Sequence, residues 1–154
     1  MRLSESPIEP IRKTRVVPIE QTAAFELFTA GMGRWWPVAT HSIAESEGVE
    51  VIFDGRIGGT VTEVTPSGEA HVWAEVIAWD PPHRFAISWH PSLHPTAASV
   101  VEVRFLAVDG GTRVDLEHRG WEEFGPAEGA ALRDGYTPGW DLVLGPFELL
   151  AGEV

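Results

Sequence analysis

Apolar residues recur along this chain of 154 residues with two different spacings. Between residues 20 and 33 they recur every three or four positions, which predicts an amphipathic helix facing a core. Its apolar face comprises Ala24, Phe25, Leu27, Phe28 and Met32. We expect Gly31 and Gly33 to end this helix or to divide it.

Seven other segments are rich in β-forming residues. The first covers residues 11–17, before the helix. The other six follow it at 49–54, 59–65, 70–79, 84–89, 98–108 and 112–118. The separators are mostly short and rich in Gly, Pro and Asp, as in antiparallel hairpins. The pattern therefore predicts a seven-stranded antiparallel meander.

Alternation within the last three strands assigns their faces. One face is apolar and comprises Phe85, Ile87, Trp89, Val101, Val103, Phe105, Val114, Leu116 and His118. The other is polar and comprises Glu102, Arg104, Arg113, Asp115 and Glu117. Helices must cover the apolar face.

The C-terminal region returns to helix after Gly125 and Pro126. We predict a short helix over residues 127–133 and a longer one that starts with Thr137 as N-cap and Pro138 at its first position. Pro146 should kink the longer helix. The residues expected to face the concave sheet are Trp140, Val143, Leu144, Phe147 and Leu150.

The length and net charge of the chain limit its domain organisation and the functions it can have. We expect residues 1–9 to be a frayed lead-in and residues 10–154 to form one domain. A net charge of −12 without a basic cluster argues against nucleic-acid binding, and no apolar run is long enough for membrane insertion. We expect a cytoplasmic protein with neither cofactor nor metal, since the chain has no cysteine and its histidines lack ligand spacing on a helix.

Five segments together resemble one superfamily. They are MGRWWP (32–37), the pair Gly58–Gly59, WDPPHRFAISW (79–89), GGTRVDLEHRGW (110–121) and GYTPGW (135–140). In this order they resemble the START-like superfamily, also called polyketide cyclase and birch-pollen-allergen-like, in its activator of heat-shock protein 90 ATPase homologue-like branch. The resemblance implies an α+β helix-grip fold, in which a curved sheet wraps a long C-terminal helix around a mainly apolar cavity.

The resulting hypothesis is that the cavity binds a small hydrophobic or aromatic molecule. One alternative is a cyclase, dehydratase or isomerase that uses the same cavity. Another is a chaperone-interaction module whose function lies on its surface. The sequence leaves open whether any reaction is catalysed, which ligand is bound and whether the chain forms a homodimer.

Seven residues are candidates for ligand binding: Trp36, His41, Trp89, His118, Trp121, Tyr136 and Trp140. His118 takes an inward position on the last strand, where its imidazole could orient a polar group or move a proton. The alternative is a structural histidine satisfied by a backbone carbonyl. Tyr136, expected in the break before the long helix, could reach the cavity mouth or simply staple the helix start. If a bulge rephases its strand, Glu75 would be buried facing His118.

Overall fold

Seven strands and two α-helices make up the computed structural model, which describes residues 8–45, 48–90 and 98–153. The strands are β1 (Ile11–Val17), β2 (Glu50–Phe53), β3 (Thr60–Val64), β4 (Ala70–Asp80), β5 (Arg84–Trp89), β6 (Ser99–Val108) and β7 (Gly111–Arg119). The helices are α1 (Gln21–Phe28) and α2 (Pro126–Glu153). Residues 1–7 of the predicted lead-in and the predicted turn at 91–95 lie outside the described residues.

The sheet follows the predicted antiparallel meander. Its spatial order is β1-β7-β6-β5-β4-β3-β2, so β1 pairs with the last strand and places Ile11 opposite His118. The predicted inward positions are buried, with Phe85 and Val103 fully inaccessible. The curved sheet holds α2 against this face. The helix-grip fold is therefore confirmed.

The outer face of β6 and β7 carries the polar residues that alternation predicts, and these are organised around one carboxylate. Glu102 is 7% exposed and forms ion pairs with Arg84, Arg104 and Arg119. Buried charge of this kind requires opposite charge and hydrogen bonds nearby. No helix in the described ranges is long and apolar enough to cross a membrane.

The N-terminal helical segment is divided, as its glycines predicted. After α1 ends at Phe28, a 3-10 turn covers Met32–Arg34. A Cβ atom on Gly31 would lie 2.9 Å from the Leu27 carbonyl oxygen, and one on Gly33 would lie 2.8 Å from that of Val51. Both approaches are too close for a side chain, so the chain can turn here only with glycine.

The C-terminal region corrects the sequence prediction. One helix, α2, spans Pro126–Glu153 with Pro138 and Pro146 inside it, so the predicted break and the N-cap at Thr137 are wrong. Thr137 instead donates its hydroxyl to the Arg133 carbonyl at 3.0 Å. The carbonyls that the prolines leave free belong to Asp134 and Leu142, both exposed, where water can satisfy them.

Strand β4 contains a bulge of the kind that the Glu75 hypothesis required, but this bulge does not bury Glu75. The β3–β4 register shifts between Val61 and Thr62, which leaves Trp73 as the extra residue and buries both Trp73 and Ala74. Glu75 is exposed. It therefore does not pair with His118.

Candidate functional site

A cavity of about 510 Å³ lies between the sheet, α2 and the segment that follows the 3-10 turn. This volume is within the range of about 300–1,000 Å³ usual for small-molecule sites. Its lining residues are Trp36, His41, Ser42, Ile43, Trp73, Trp89, Ala131, Leu132, Gly135, Tyr136, Gly139, Trp140 and Val143. None of these described residues is acidic, and none is lysine or arginine. The site suits an uncharged ligand.

Four indole rings form the inner wall. The ring centroid of Trp36 lies 5.1 Å from that of Trp73 and 6.0 Å from those of Trp89 and Trp140. Each ring belongs to a different part of the fold: the segment after α1, β4, β5 and α2. These tilted and edge-to-face arrangements are favourable for aromatic pairs, and they offer broad apolar surface to a flat molecule.

One row of small residues lies on the helix side of the cavity. Ala131, Gly135 and Gly139 recur every four positions along α2 and therefore lie on one face. A Cβ atom on Gly135 or Gly139 would meet no atom within 4 Å. Ala131 and Gly135 are exposed, which places the mouth between this face and the loop residues His41–Ile43.

Two polar side chains of the wall have defined partners. The hydroxyl of Tyr136 accepts a hydrogen bond from Trp89 Nε1 at 3.0 Å, which leaves its own proton available to a ligand. Burial raises the pKa of Tyr136, partly opposed by this hydrogen bond, so the group stays a neutral donor. His41 Nδ1 lies 2.7 Å from the Thr40 hydroxyl, and its carbonyl accepts from Trp36 Nε1 at 2.6 Å.

His118 is fully buried, and both of its ring nitrogens have side-chain partners. Trp140 Nε1, which can only donate, lies 2.9 Å from His118 Nδ1. The proton of the neutral ring is therefore on Nε2, which donates to the Ser99 hydroxyl at 2.7 Å. Burial lowers the pKa of His118 to about 3 and keeps the ring neutral. In this tautomer His118 cannot accept a proton from Ser99.

The seven candidate residues divide into two layers. Trp36, His41, Trp89, Tyr136 and Trp140 line the cavity. The other two, His118 and Trp121, do not line it and stack behind it. Their ring centroids lie 5.1 Å and 5.5 Å from that of Tyr136. His118 and Trp121 could affect binding only through the lining rings that they contact, such as Tyr136.

Glu63 was missed by the sequence interpretation. It lies on β3, is completely buried, and accepts hydrogen bonds from Trp73 Nε1 at 2.6 Å and from the backbone N–H groups of Ile43 (2.6 Å) and Ala44 (2.9 Å). The available signal was alternation, because Val61 faces the core and Glu63 shares its parity. The sequence hypothesis placed a buried carboxylate at Glu75 of β4 instead.

Metal-ligating residues are scattered. Within the described ranges, no three His, Asp or Glu side chains are grouped so that they could hold a metal ion. The cavity lining itself offers aromatic faces, the Tyr136 and Ser42 hydroxyls and the His41 imidazole.

Solved structures similar to this chain include one with a named activity. An anthrahydroquino-γ-pyrone synthase, Txn09, solved in complex with SUM, is 32% identical to this chain, with 83% of this chain and 86% of that chain covered and a TM-score of 0.58. No curated protein sequence matches significantly.

More distant structures agree in fold alone. A protein from Mesorhizobium loti is 16% identical, with 92% and 96% of the two chains covered and a TM-score of 0.65. An Aha1 dimer from Colwellia psychrerythraea is 13% identical, with 92% and 94% covered and a TM-score of 0.66. The family model described as Activator of Hsp90 ATPase homolog 1-like protein matches residues 18–150. Since that match covers most of the chain, the protein belongs to the Activator of Hsp90 ATPase homolog 1-like family.

Proposed function

We propose that the cavity binds a flat, uncharged aromatic molecule of two or more fused rings that carries a carbonyl or phenolic oxygen. The observation that carries this proposal is the wall of four indoles with a tyrosine hydroxyl set into it. The indoles provide stacking surface, and the free proton of Tyr136 can be donated to an oxygen of the ligand. The 32% identity to a protein named as an anthrahydroquino-γ-pyrone synthase supports the same ligand class.

The test is to fill the cavity from the helix side. Gly139→Leu adds a side chain where a Cβ meets nothing, so it should occupy the cavity without displacing the core. Leucine also favours the helix over glycine by about 0.5–1 kcal/mol, so stability should be kept or increased. We expect wild-type protein to bind the hydroxyanthraquinone alizarin in isothermal titration calorimetry at acidic pH, where the phenols of alizarin are protonated and the ligand is uncharged. Gly139→Leu should bind it at least about tenfold more weakly.

The matched control is Gly145→Leu. Gly145 belongs to the same helix, its Cβ position is also open, and it does not line the cavity. This variant should bind alizarin like wild type. Equal affinity in all three proteins would place the ligand elsewhere, and no binding by the wild type would contradict the proposed ligand class.

A second candidate function is ring closure of such a ligand, favoured by the name of the 32% identical relative. A phenol bearing an ortho β-diketone side chain forms a γ-pyrone when its oxygen adds to the far carbonyl and water is lost. Folding the side chain within the cavity would favour this addition, and Tyr136 would donate a hydrogen bond to the carbonyl oxygen. Neither the addition nor the loss of water requires an oxidant or a reductant.

The ring-closure test is chromatographic. Wild-type protein should convert an ortho-hydroxyaryl β-diketone to the pyrone faster than buffer does, and Tyr136→Phe should lower the rate more than it lowers affinity. A rate equal to that in buffer, together with tight binding, would leave ligand binding as the function.

A chaperone contact is the remaining alternative, and it rests on the family description alone. Stimulation of the ATPase of heat-shock protein 90 by this chain would support it, particularly if Gly139→Leu stimulated equally, since the cavity would then have no part in the activity.

A further inference from the structure

The segment of residues 37–45 forms the outer lip of the cavity and is folded largely upon itself. The backbone N–H of His41 donates to the Pro37 carbonyl at 2.8 Å, and the Ser42 hydroxyl donates to the Val38 carbonyl at 2.6 Å. The same hydroxyl accepts from the N–H of Glu45 at 2.8 Å. The lip is thus a small hydrogen-bonded unit, and its position on the protein must be set from outside.

Glu63 supplies that connection. Its carboxylate accepts the N–H groups of Ile43 and Ala44. Within the described part of the chain, the other hydrogen bonds from the lip to a neighbouring residue both involve the adjacent Trp36, whose indole donates to the His41 carbonyl and whose carbonyl accepts from the N–H of Val38. The third donor to Glu63 is the indole of Trp73, itself part of the cavity wall. Within the described residues, Glu63 is therefore the side chain that joins the lip to the sheet by hydrogen bonds.

Because of the environment of Glu63, its two hydrogen bonds to the lip should form or break together. The side chain is completely buried, three N–H groups point at it, and no described cationic side chain forms an ion pair with it. A carboxylate without an opposite charge tolerates burial only through such donors. If the lip moved away, two of the three would be lost together. The lip should therefore occupy one defined position.

We propose that Glu63 is a positioning residue for ligand binding. It touches no ligand, but it holds His41, Ser42 and Ile43 at the cavity mouth, and through Trp73 it fixes the facing wall. Its effect on affinity rests on the proposed function. Its effect on the lip does not.

Glu63→Gln tests the proposal with almost no change in volume. The amide oxygen can replace Oε1, which accepts from both Ile43 and Trp73, but the amide NH₂ then faces the N–H of Ala44. We expect amide hydrogen exchange, measured by mass spectrometry, to become about tenfold faster over residues 38–45 and to remain unchanged in β5, β6 and β7. Alizarin affinity should fall about three- to tenfold, mostly through faster dissociation.

Glu75→Gln is the matched control. It neutralises an exposed carboxylate on the neighbouring strand, and both exchange and affinity should equal those of the wild type. Unchanged lip exchange in Glu63→Gln, or exchange that rises equally in all strands, would overturn the positioning role. Faster lip exchange with unaltered alizarin affinity would overturn its importance for binding.

Two further outcomes are separable. If Glu63→Gln does not fold, Trp73→Phe removes the same carboxylate's anchor on β4, and the lip should again exchange faster than in wild type while β6 does not. Unchanged lip exchange in that variant counts against the proposal. If wild-type protein fails to bind alizarin, the proposed function fails, while the exchange measurement, which uses no ligand, still decides the role of Glu63.

Discussion

His118 and Glu63 are both buried behind the tryptophan wall of the cavity, and they are held in different ways. His118 has its partners on two regular elements, Ser99 of β6 and Trp140 of α2. Glu63 has one partner on β4 and two on a loop. The first group joins the helix to the sheet, and the second joins a loop to the sheet.

This difference predicts that His118 supports the stability of the whole domain and that Glu63 controls the local order of the lip. Losing the partners of His118 would loosen the packing of α2, which contributes Trp140, Leu144 and Phe147 to the core. Losing those of Glu63 would release a short segment that is otherwise bonded mainly to itself. We therefore expect changes on the His118 side to lower global stability, and changes on the Glu63 side to alter local exchange and affinity.

The largest effect should come from breaking the helix–sheet contact itself. Leu144 is 1% exposed on α2, and Leu144→Asp would bury an unpaired carboxylate. We expect the free energy of unfolding to fall by at least about 3 kcal/mol in urea denaturation. Leu142→Asp, at a position 64% exposed on the same helix, should stay within about 0.5 kcal/mol of wild type. Equal stability of both variants would mean that this face of α2 is not packed on the sheet.

A smaller loss is expected from His118→Phe, which keeps a ring but removes both nitrogens. Trp140 would lose its acceptor and Ser99 its donor, at a cost of about 1–3 kcal/mol near pH 7. Alizarin affinity of the folded protein should change less than twofold, because His118 does not line the cavity. A tenfold loss of affinity at unchanged stability would instead make His118 a ligand contact, as the sequence hypothesis allowed.

The buried neutral ring of His118 also predicts that stability depends on pH, and His118→Phe tests this. In the native state the pKa of His118 is about 3, against 6.5 for an ordinary histidine, so below pH 6.5 the unfolded chain binds a proton that the native state does not. As the pH falls from 6.5 towards 3, the free energy of unfolding of the wild type should therefore decrease by up to about 1.4 kcal/mol per pH unit on account of His118. His118→Phe has no such group, so plots of the free energy of unfolding against pH for wild type and variant should converge at about pH 5. A constant difference from pH 7 to pH 4 would contradict the neutral, buried ring.

The smallest effect is expected at Tyr136 in the cavity wall. Tyr136→Phe removes the acceptor of Trp89 Nε1 and should lower stability by about 0.5–1.5 kcal/mol. Its affinity for tetralone, which has a carbonyl, should fall about three- to tenfold, while its affinity for tetralin, which has none, should not change. Equal losses for both ligands in calorimetry would show that the hydroxyl shapes the cavity rather than donating to the ligand.

The sequence predicted the His118 region much better than the Glu63 region, for a physical reason. Strand alternation has a fixed period, so the inward position of His118 followed directly from Leu116 and Val114. The partners of Glu63 depend on the path of a loop, which has no period. Even within regular structure, tertiary contacts overrode local signals: Pro138 predicted a helix start, yet packing of Trp140 and Leu144 keeps α2 continuous.

The close packing of the indoles has a consequence for spectroscopy. Trp36, Trp73, Trp89 and Trp140 form a connected set of rings whose neighbouring centroids are 5.1–6.0 Å apart. Chromophores at such separations share excitation, so light absorbed by one ring can be emitted by another. Emission from these four rings therefore belongs to the set as a whole, and a change in it on binding reports the cavity wall rather than Trp89 or Trp140 individually.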